Sequence, residues 1–192
     1  MECVDILLQY NAELETKNDD GDTPLLLATT NDKPKVVSFL VSKNANVNAV
    51  DNSGRTALHI ASQKGLISCI NALKCQRLKC NAKDRNGATA LHLAAASSQI
   101  ESADILINDL KVDALLVDNQ NRTPLHIAFH LKCTAIVNII KAACPAASSI
   151  ISELEEEGDD LALIYPKPAR EDLEGAKSSE KSNEVEGVNV NA

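Results

Sequence analysis

The chain has 192 residues, of which only 2% are aromatic, and it contains no tryptophan. Its formal net charge is −8, and residues 147–192 account for all of it because they hold 12 acidic and 4 basic side chains. A neutral body with an acidic end argues against nucleic-acid binding, which requires a basic surface. No apolar run reaches the roughly 18 residues that a membrane-spanning helix needs, so we expect no membrane association.

The first predicted element is a helix from Cys3 to Tyr10 with its apolar residues on one face. A hairpin segment over residues 11–18 follows it. Residues 1–15 lack the basic start and the cleavage site of a signal peptide. We therefore expect the protein in the cytoplasm or the nucleus, where thiols stay reduced.

The next elements recur along the chain. Four segments align at spacings of 33, 33 and 34 residues: TPLLLA (23–28), TALHIA (56–61), TALHLA (89–94) and TPLHIA (123–128). Two positions before each segment stands a residue that tolerates positive φ: Gly21, Gly54, Gly87 or Asn121. The leading threonine can cap a helix, and the proline of the first and fourth copies suits the first helical position. Each copy therefore predicts a turn followed by a short helix.

A second helix is predicted after each of these first helices, because an apolar stripe at helical spacing follows. The stripes are Val36, Val37, Leu40 and Val41; Ile67, Ile70 and Leu73; Ile100, Ile105 and Leu106; and Ile136, Val137, Ile139 and Ile140. One helix pair cannot bury its apolar face alone, so neighbouring pairs must stack. The third copy is one residue longer than the first two, and we place the extra residue near Asp109–Lys111.

These residues resemble the ankyrin repeat, which has the signature D-x-x-G-x-T-P-L-H-x-A and a period of 33. The resemblance covers residues 1 to about 144 and implies a mainly α-helical solenoid of stacked helix pairs with β-hairpin-like loops. It divides the chain into a partial leading repeat (1–17), four repeats (18–50, 51–83, 84–117 and 118–145) and an acidic tail (146–192). Because the leading repeat lacks its first helix, we expect this chain to be part of a longer array, or an isoform or gene model that starts inside one.

The tail is rich in Glu, Lys, Ser, Asn and Gly, so we expect it to be mostly disordered. Within it we predict a short helix over residues 149–157 with Ser149 as its N-cap. Ile150, Ile151 and Leu154 are expected to fold back onto the last repeat.

The residues that suggest chemistry also have structural interpretations. His59, His92 and His126 stand one repeat apart, too far for shared metal ligation. The resemblance implies that these imidazoles bond the backbone and neighbouring repeats, whereas we expect His130 to be exposed. Cys3 and Cys69 fall at the same repeat position, on the buried side of a helix. We find no catalytic motif and predict no enzyme activity, no cofactor and no metal site.

The resemblance implies a protein partner that lies across the hairpin tips and the inner face of the first helices. Carried over position by position, the partner-binding residues are Asp19, Asp20, Asp22, Asn52, Ser53, Arg55, Gln63, Lys64, Arg85, Asn86, Ser97, Asn119, Gln120, Arg122, His130 and Leu131. The first tip is acidic and the later tips are basic, which is either scattered surface charge or a stripe for acidic groups of a partner. Under the second hypothesis arginine forks grip the partner's carboxylates, and Glu153–Asp160 competes for the same stripe.

Three functions remain open at this point. The leading one is a non-enzymatic scaffold or adaptor that acts as a monomer. The second is a regulatory inhibitor similar to the NF-κB inhibitors, which also follow their ankyrin repeats with an acidic, degradation-prone tail. The third is the targeting half of a larger enzyme or channel.

Overall fold

The computed structural model describes residues 13–75 and 77–157, with side chains up to residue 152. These residues belong to the unit Met1–Gly158. The predicted leading helix, Cys3–Tyr10, and the predicted disorder of the tail beyond residue 157 lie outside the described residues.

The described residues form α-helices joined by turns and extended loops, and they contain no strand. The helices are α1 (Pro24–Thr30), α2 (Pro34–Ser42), α3 (Ala57–Lys64), α4 (Ile67–Leu73), α5 (Ala90–Ala96), α6 (Ile100–Asp104), α7 (Pro124–His130), α8 (Thr134–Ala143) and α9 (Ala147–Glu157). A π-helical turn, Ile105–Asp109, continues α6. The mainly α-helical class is confirmed, and the predicted hairpin-like segments are loops.

The first helices begin where the threonines predict. The hydroxyls of Thr23, Thr56 and Thr123 accept backbone N–H bonds of 3.4–3.5 Å from the residue three positions on. Pro24 and Pro124 occupy the first turn of their helices, as expected. Asn121 has φ +59°, so it replaces glycine in the left-handed turn of the fourth repeat. Local sequence therefore determines these helix starts.

The turn between the two helices of each repeat also requires a residue with positive φ. Only the second repeat has a glycine at this position. The position nine residues after the threonine holds Asp32, Gly65, Ser98 or Lys132, and φ lies between +49° and +71° in all four. At Gly65, φ is +71°, and an added Cβ would displace the flexible end of the Gln99 side chain, whose Oε1 would lie 2.4 Å away. At the other three positions the flanking helices impose φ on a side chain that disfavours it.

The helix pairs stack in register: first helices pack on first helices, from α1 through α3 and α5 to α7, and second helices pack on second helices. The leucine and the alanine of each first-helix segment are buried. The buried members of the second-helix stripes are Val37, Leu40, Ile70, Leu73, Leu106, Ile136 and Ile140, and every other member except Ile100 packs partly buried against the core. Ile100 is an exception because it starts α6 and is 47% exposed, so its predicted core role is wrong.

The extra residue of the third repeat lies in the π-helical turn. In the first repeat the second helix ends with Ala45 N–H donating to Leu40 O (3.0 Å). In the third repeat the equivalent bond runs from Val112 N–H to Leu106 O (3.1 Å), across one more residue. Widening the helix absorbs that residue and keeps the next loop in register, which agrees with the predicted position, Asp109–Lys111.

Helix α9 begins two residues earlier than predicted. Ser149 is not its N-cap, because the helix starts at Ala147 and the Ser149 hydroxyl donates to Ala146 O within the first turn (2.8 Å). Ala147 and Ile151 are buried and Ile150 packs partly buried against the core, so these residues do fold back, with α9 packing on α8. The side chain of Leu154 lies outside the described residues.

Candidate partner-binding surface

The hairpin tips, defined here as residues 19–22, 52–55, 85–88 and 119–122, are tied to one another by backbone hydrogen bonds. Asn52 N–H donates to Asp20 O (3.2 Å), Arg85 N–H to Ser53 O (3.1 Å), and Asn119 N–H to Asn86 O (2.9 Å). The side-chain amides of Asn52 and Asn119 add one bond each to the preceding tip, to Asp19 O and Arg85 O, both at 3.0 Å. The spacing of the tips is therefore fixed.

The arginine forks of the second and fourth tips already hold a carboxylate. Arg55 contacts Oδ2 of Asp51 through Nε and Nη2, both at 2.8 Å. Arg122 contacts Oδ2 of Asp118 at 2.9 and 2.8 Å, and its side chain is only 15% exposed. Burial opposes ionisation of Asp118, but hydrogen bonds from Arg122 and its charge outweigh burial and lower the pKa. The hypothesis that these forks grip a partner's carboxylate therefore needs revision.

The first tip carries acidic charge without such a pair. Asn18 and Asp22 stand where the fourth repeat has Asp118 and Arg122, and Asn18 Oδ1 accepts the N–H of Asp22 (2.7 Å). Burial raises the pKa of Asp22, and the charges of Asp51 and Asp20 raise it further. Asp19 and Asp20 are exposed. The first tip is therefore acidic, and its part in partner binding stays a prediction.

The third tip differs again because Ala88 stands where the second and fourth tips have arginine. Asp84 instead accepts the backbone N–H groups of Asn86 and Ala88, at 2.9 and 2.8 Å. Arg85 is exposed and forms no ion pair within the described part of the chain. Of the predicted tip cations, Arg85 is thus the one whose fork is not already used.

The inner-face residues lie at the C-terminal ends of successive first helices. Lys64 is exposed and its ammonium donates to Thr30 O (3.2 Å), while Gln63 and Ser97 are half-buried. Leu131 is exposed. His130 is half-buried rather than exposed as predicted, and its Nε2 has no hydrogen-bond partner among the described residues.

The repeated histidines connect neighbouring repeats, as the resemblance implied. The backbone N–H of Thr56 donates to Nδ1 of His59 (3.2 Å), so the imidazole proton resides on Nε2 and is donated to Ala88 O (3.1 Å). His92 makes the same bond to Arg122 O (2.9 Å). Burial lowers the pKa of both imidazoles, which keeps them neutral.

Cys69 is fully buried, as predicted, and its thiol donates to Oδ1 of Asp32 (3.4 Å). Burial, followed by this hydrogen bond, raises the pKa of Cys69 to about 11. Among the described residues no three His, Cys, Asp or Glu side chains are grouped so that they could hold a metal ion. None of the helices in this part of the chain is both long and apolar enough to span a bilayer.

Two lysines act as ties between repeats, which the sequence analysis did not identify. Lys17 Nζ donates to Val50 O and Lys83 Nζ donates to Val117 O, both at 2.6 Å. Each lysine stands six residues before the threonine of its repeat, and its acceptor is the same position of the next repeat. The recurrence of lysine at this position of two repeats is the sequence signal that could have identified these contacts.

The family model described as ankyrin repeats (3 copies) matches residues 1–84 and 68–147. The two spans together contain every helix from α1 to α8. A comparison with curated proteins finds no match.

Proposed function

Because the chain belongs to the ankyrin-repeat family, we propose that it is a scaffold or adaptor that binds another protein along its hairpin tips and the inner face of its first helices. Ankyrin repeats are protein–protein interaction modules and are typically non-catalytic. Their partners bind a surface that the stacked framework holds in place.

The observation that carries this proposal is the contrast between fixed backbone and exposed side chains at the tips. Ser53 and Asn86 use their backbone groups in the bonds between tips, yet both residues are exposed. Such a surface loses little conformational entropy when a partner binds, because its backbone is already ordered. Its specificity then depends on the side chains that vary from tip to tip.

The test is an affinity capture of cellular proteins on the full chain, compared with the variant Ser53→Arg/Asn86→Arg. The matched control is Ser68→Arg/Asn71→Arg, which adds the same charge at two exposed positions of α4, away from the tips. We expect the tip variant to lose its partner and the control to keep it. Equal capture by all three proteins, each with unchanged helical circular dichroism, would contradict the proposal.

We further propose that the protein acts as a monomer in the cytoplasm or the nucleus. The half-buried thiols of Cys75, Cys80, Cys133 and Cys144 are free, which fits a reducing compartment. Imaging of the tagged full chain and sedimentation at micromolar concentration test the two parts of this proposal.

A further inference from the structure

One row of side chains on the inner face changes in chemical character from one repeat to the next. The row consists of the residues eight positions after each repeat's threonine, and we call it the helix-end row: Asn31, Lys64, Ser97 and Leu131. They stand at or directly after the C-terminal ends of α1, α3, α5 and α7. Because these helices stack in order, the row presents an amide, an ammonium, a hydroxyl and an isobutyl group in sequence.

Lys64 is the cationic member of the helix-end row. Its ammonium has three N–H donors and uses one of them in the hydrogen bond to Thr30 O. It forms no ion pair with any described residue. The helix ends around it carry partial negative charge, so among the four members of the row Lys64 is the one that favours a partner's carboxylate.

Leu131 supplies the apolar end. It is 37% exposed, and the other three members of the row are polar. Between Lys64 and Leu131 the surface is formed by Ala96 and Ser97, whose side chains are small and half-buried. A partner backbone can therefore approach closely over α5 while larger side chains point to either end.

We propose that the helix-end row binds an extended peptide segment of the partner, with an acidic side chain facing Lys64 and a large apolar side chain facing Leu131. This rests on the proposed function and names the partner's chemistry. Two helix layers of about 8–10 Å separate the two contacts. An extended chain rises about 3.3 Å per residue, so the acidic and apolar residues should stand about five or six positions apart.

This assignment moves the carboxylate site from the row of tip arginines to Lys64. Asp51 and Asp118 neutralise Arg55 and Arg122, so Arg85 is the one tip arginine without an ion pair among the described residues, whereas Lys64 lies on the helix-end row itself. A large apolar side chain that covers Leu131 removes apolar surface from water, and a carboxylate opposite Lys64 sets the register of the segment.

The experiment selects random dodecapeptides displayed on phage against the full chain. We expect enriched peptides to pair Asp or Glu with Leu, Ile, Met or Phe at the stated separation. Lys64→Glu should lower the affinity of a selected peptide at least about tenfold and shift a new selection towards Lys or Arg. Leu131→Asp should remove the apolar preference.

Two matched variants serve as controls. Lys35→Glu changes an exposed lysine of α2, and Leu115→Asp changes a leucine that is as exposed as Leu131 (38%) but lies in a loop between repeats. Both should leave the selected sequences unchanged. Absence of enrichment, enrichment of basic peptides, or an unchanged selection with Lys64→Glu would each overturn the inference. The proposed function would survive if the tip variant still lost its cellular partner, so the two failures can be told apart.

Discussion

The first and fourth tips have the same backbone path, but the first is acidic and the fourth carries a neutralised ion pair. In both, a side chain five residues before the threonine accepts the N–H of the residue four positions on, at 2.7 Å from Asn18 and 2.9 Å from Asp118. In the fourth tip that carboxylate also binds Arg122, whereas the first tip presents Asp22 with a raised pKa. Tip geometry and tip charge are therefore separable. Any side-chain oxygen at the first of these two positions can accept the backbone N–H, whereas the charge depends on which side chains stand at both positions.

The largest expected effect comes from breaking the buried pair. Asp118→Ala should lower the free energy of unfolding by about 3 kcal/mol, because it leaves the Arg122 guanidinium, 15% exposed, without its carboxylate. Asn18→Ala removes one exposed hydrogen bond and should cost about 1 kcal/mol. Urea unfolding of both variants measures the difference. Asp118→Ala/Arg122→Ala should recover part of the loss, and equal costs for the two single variants would contradict the distinction between the tips.

Acid should destabilise the repeats that use histidine more than the first repeat, which has Leu26 at the same position. The pKa of His59 and His92 is lowered in the fold, so the unfolded chain binds protons first. Stability is therefore complete above the unfolded pKa of about 6.5 and is lost as pH falls below it, by up to about 1.4 kcal/mol per pH unit for each imidazole.

Urea midpoints between pH 8 and pH 5 check this prediction. His92→Leu should be less stable than the natural chain at pH 8, since it loses the bond to Arg122 O, and its midpoint should fall less steeply with pH. A midpoint that is the same at pH 8 and pH 5 would exclude the proposed titration.

The smallest effect concerns the charge of the first tip. Asp22→Asn should raise the free energy of unfolding at pH 7 by about 0.3 kcal/mol, because burial and two neighbouring carboxylates disfavour the ionised form. The sign follows from the raised pKa: the carboxylate is unfavourable when ionised, and the gain disappears as the acid becomes protonated below about pH 4. Chemical unfolding at pH 7 and pH 3.5 measures the gain in stability and its disappearance in acid. A loss of stability at pH 7 would refute the conclusion that ionised Asp22 is unfavourable.

Most of the stack could be predicted from the chain because its determinants are local. Thr56 caps the helix it precedes, and Asn121 stands where positive φ is required. Asp51 and Arg55 lie four residues apart, so their ion pair could also have been predicted from the sequence. The sequence interpretation instead assigned Arg55 and Arg122 to partner contacts. The predicted start of α9 and the predicted burial of Ile100 were wrong. Both depend on how the residues pack against the neighbouring layer of helices.

The sequence by itself determined the period, the starts of the first helices and most of the residues that enter the core, since each depends on residues within about ten positions. Tertiary structure decided which charged groups remain available to a partner. Lys17 ends on Val50 O and Lys64 on Thr30 O, more than thirty residues away in each case. Long side chains reach across layers, so their bonding depends on how repeats stack, and that arrangement exists only in the folded chain.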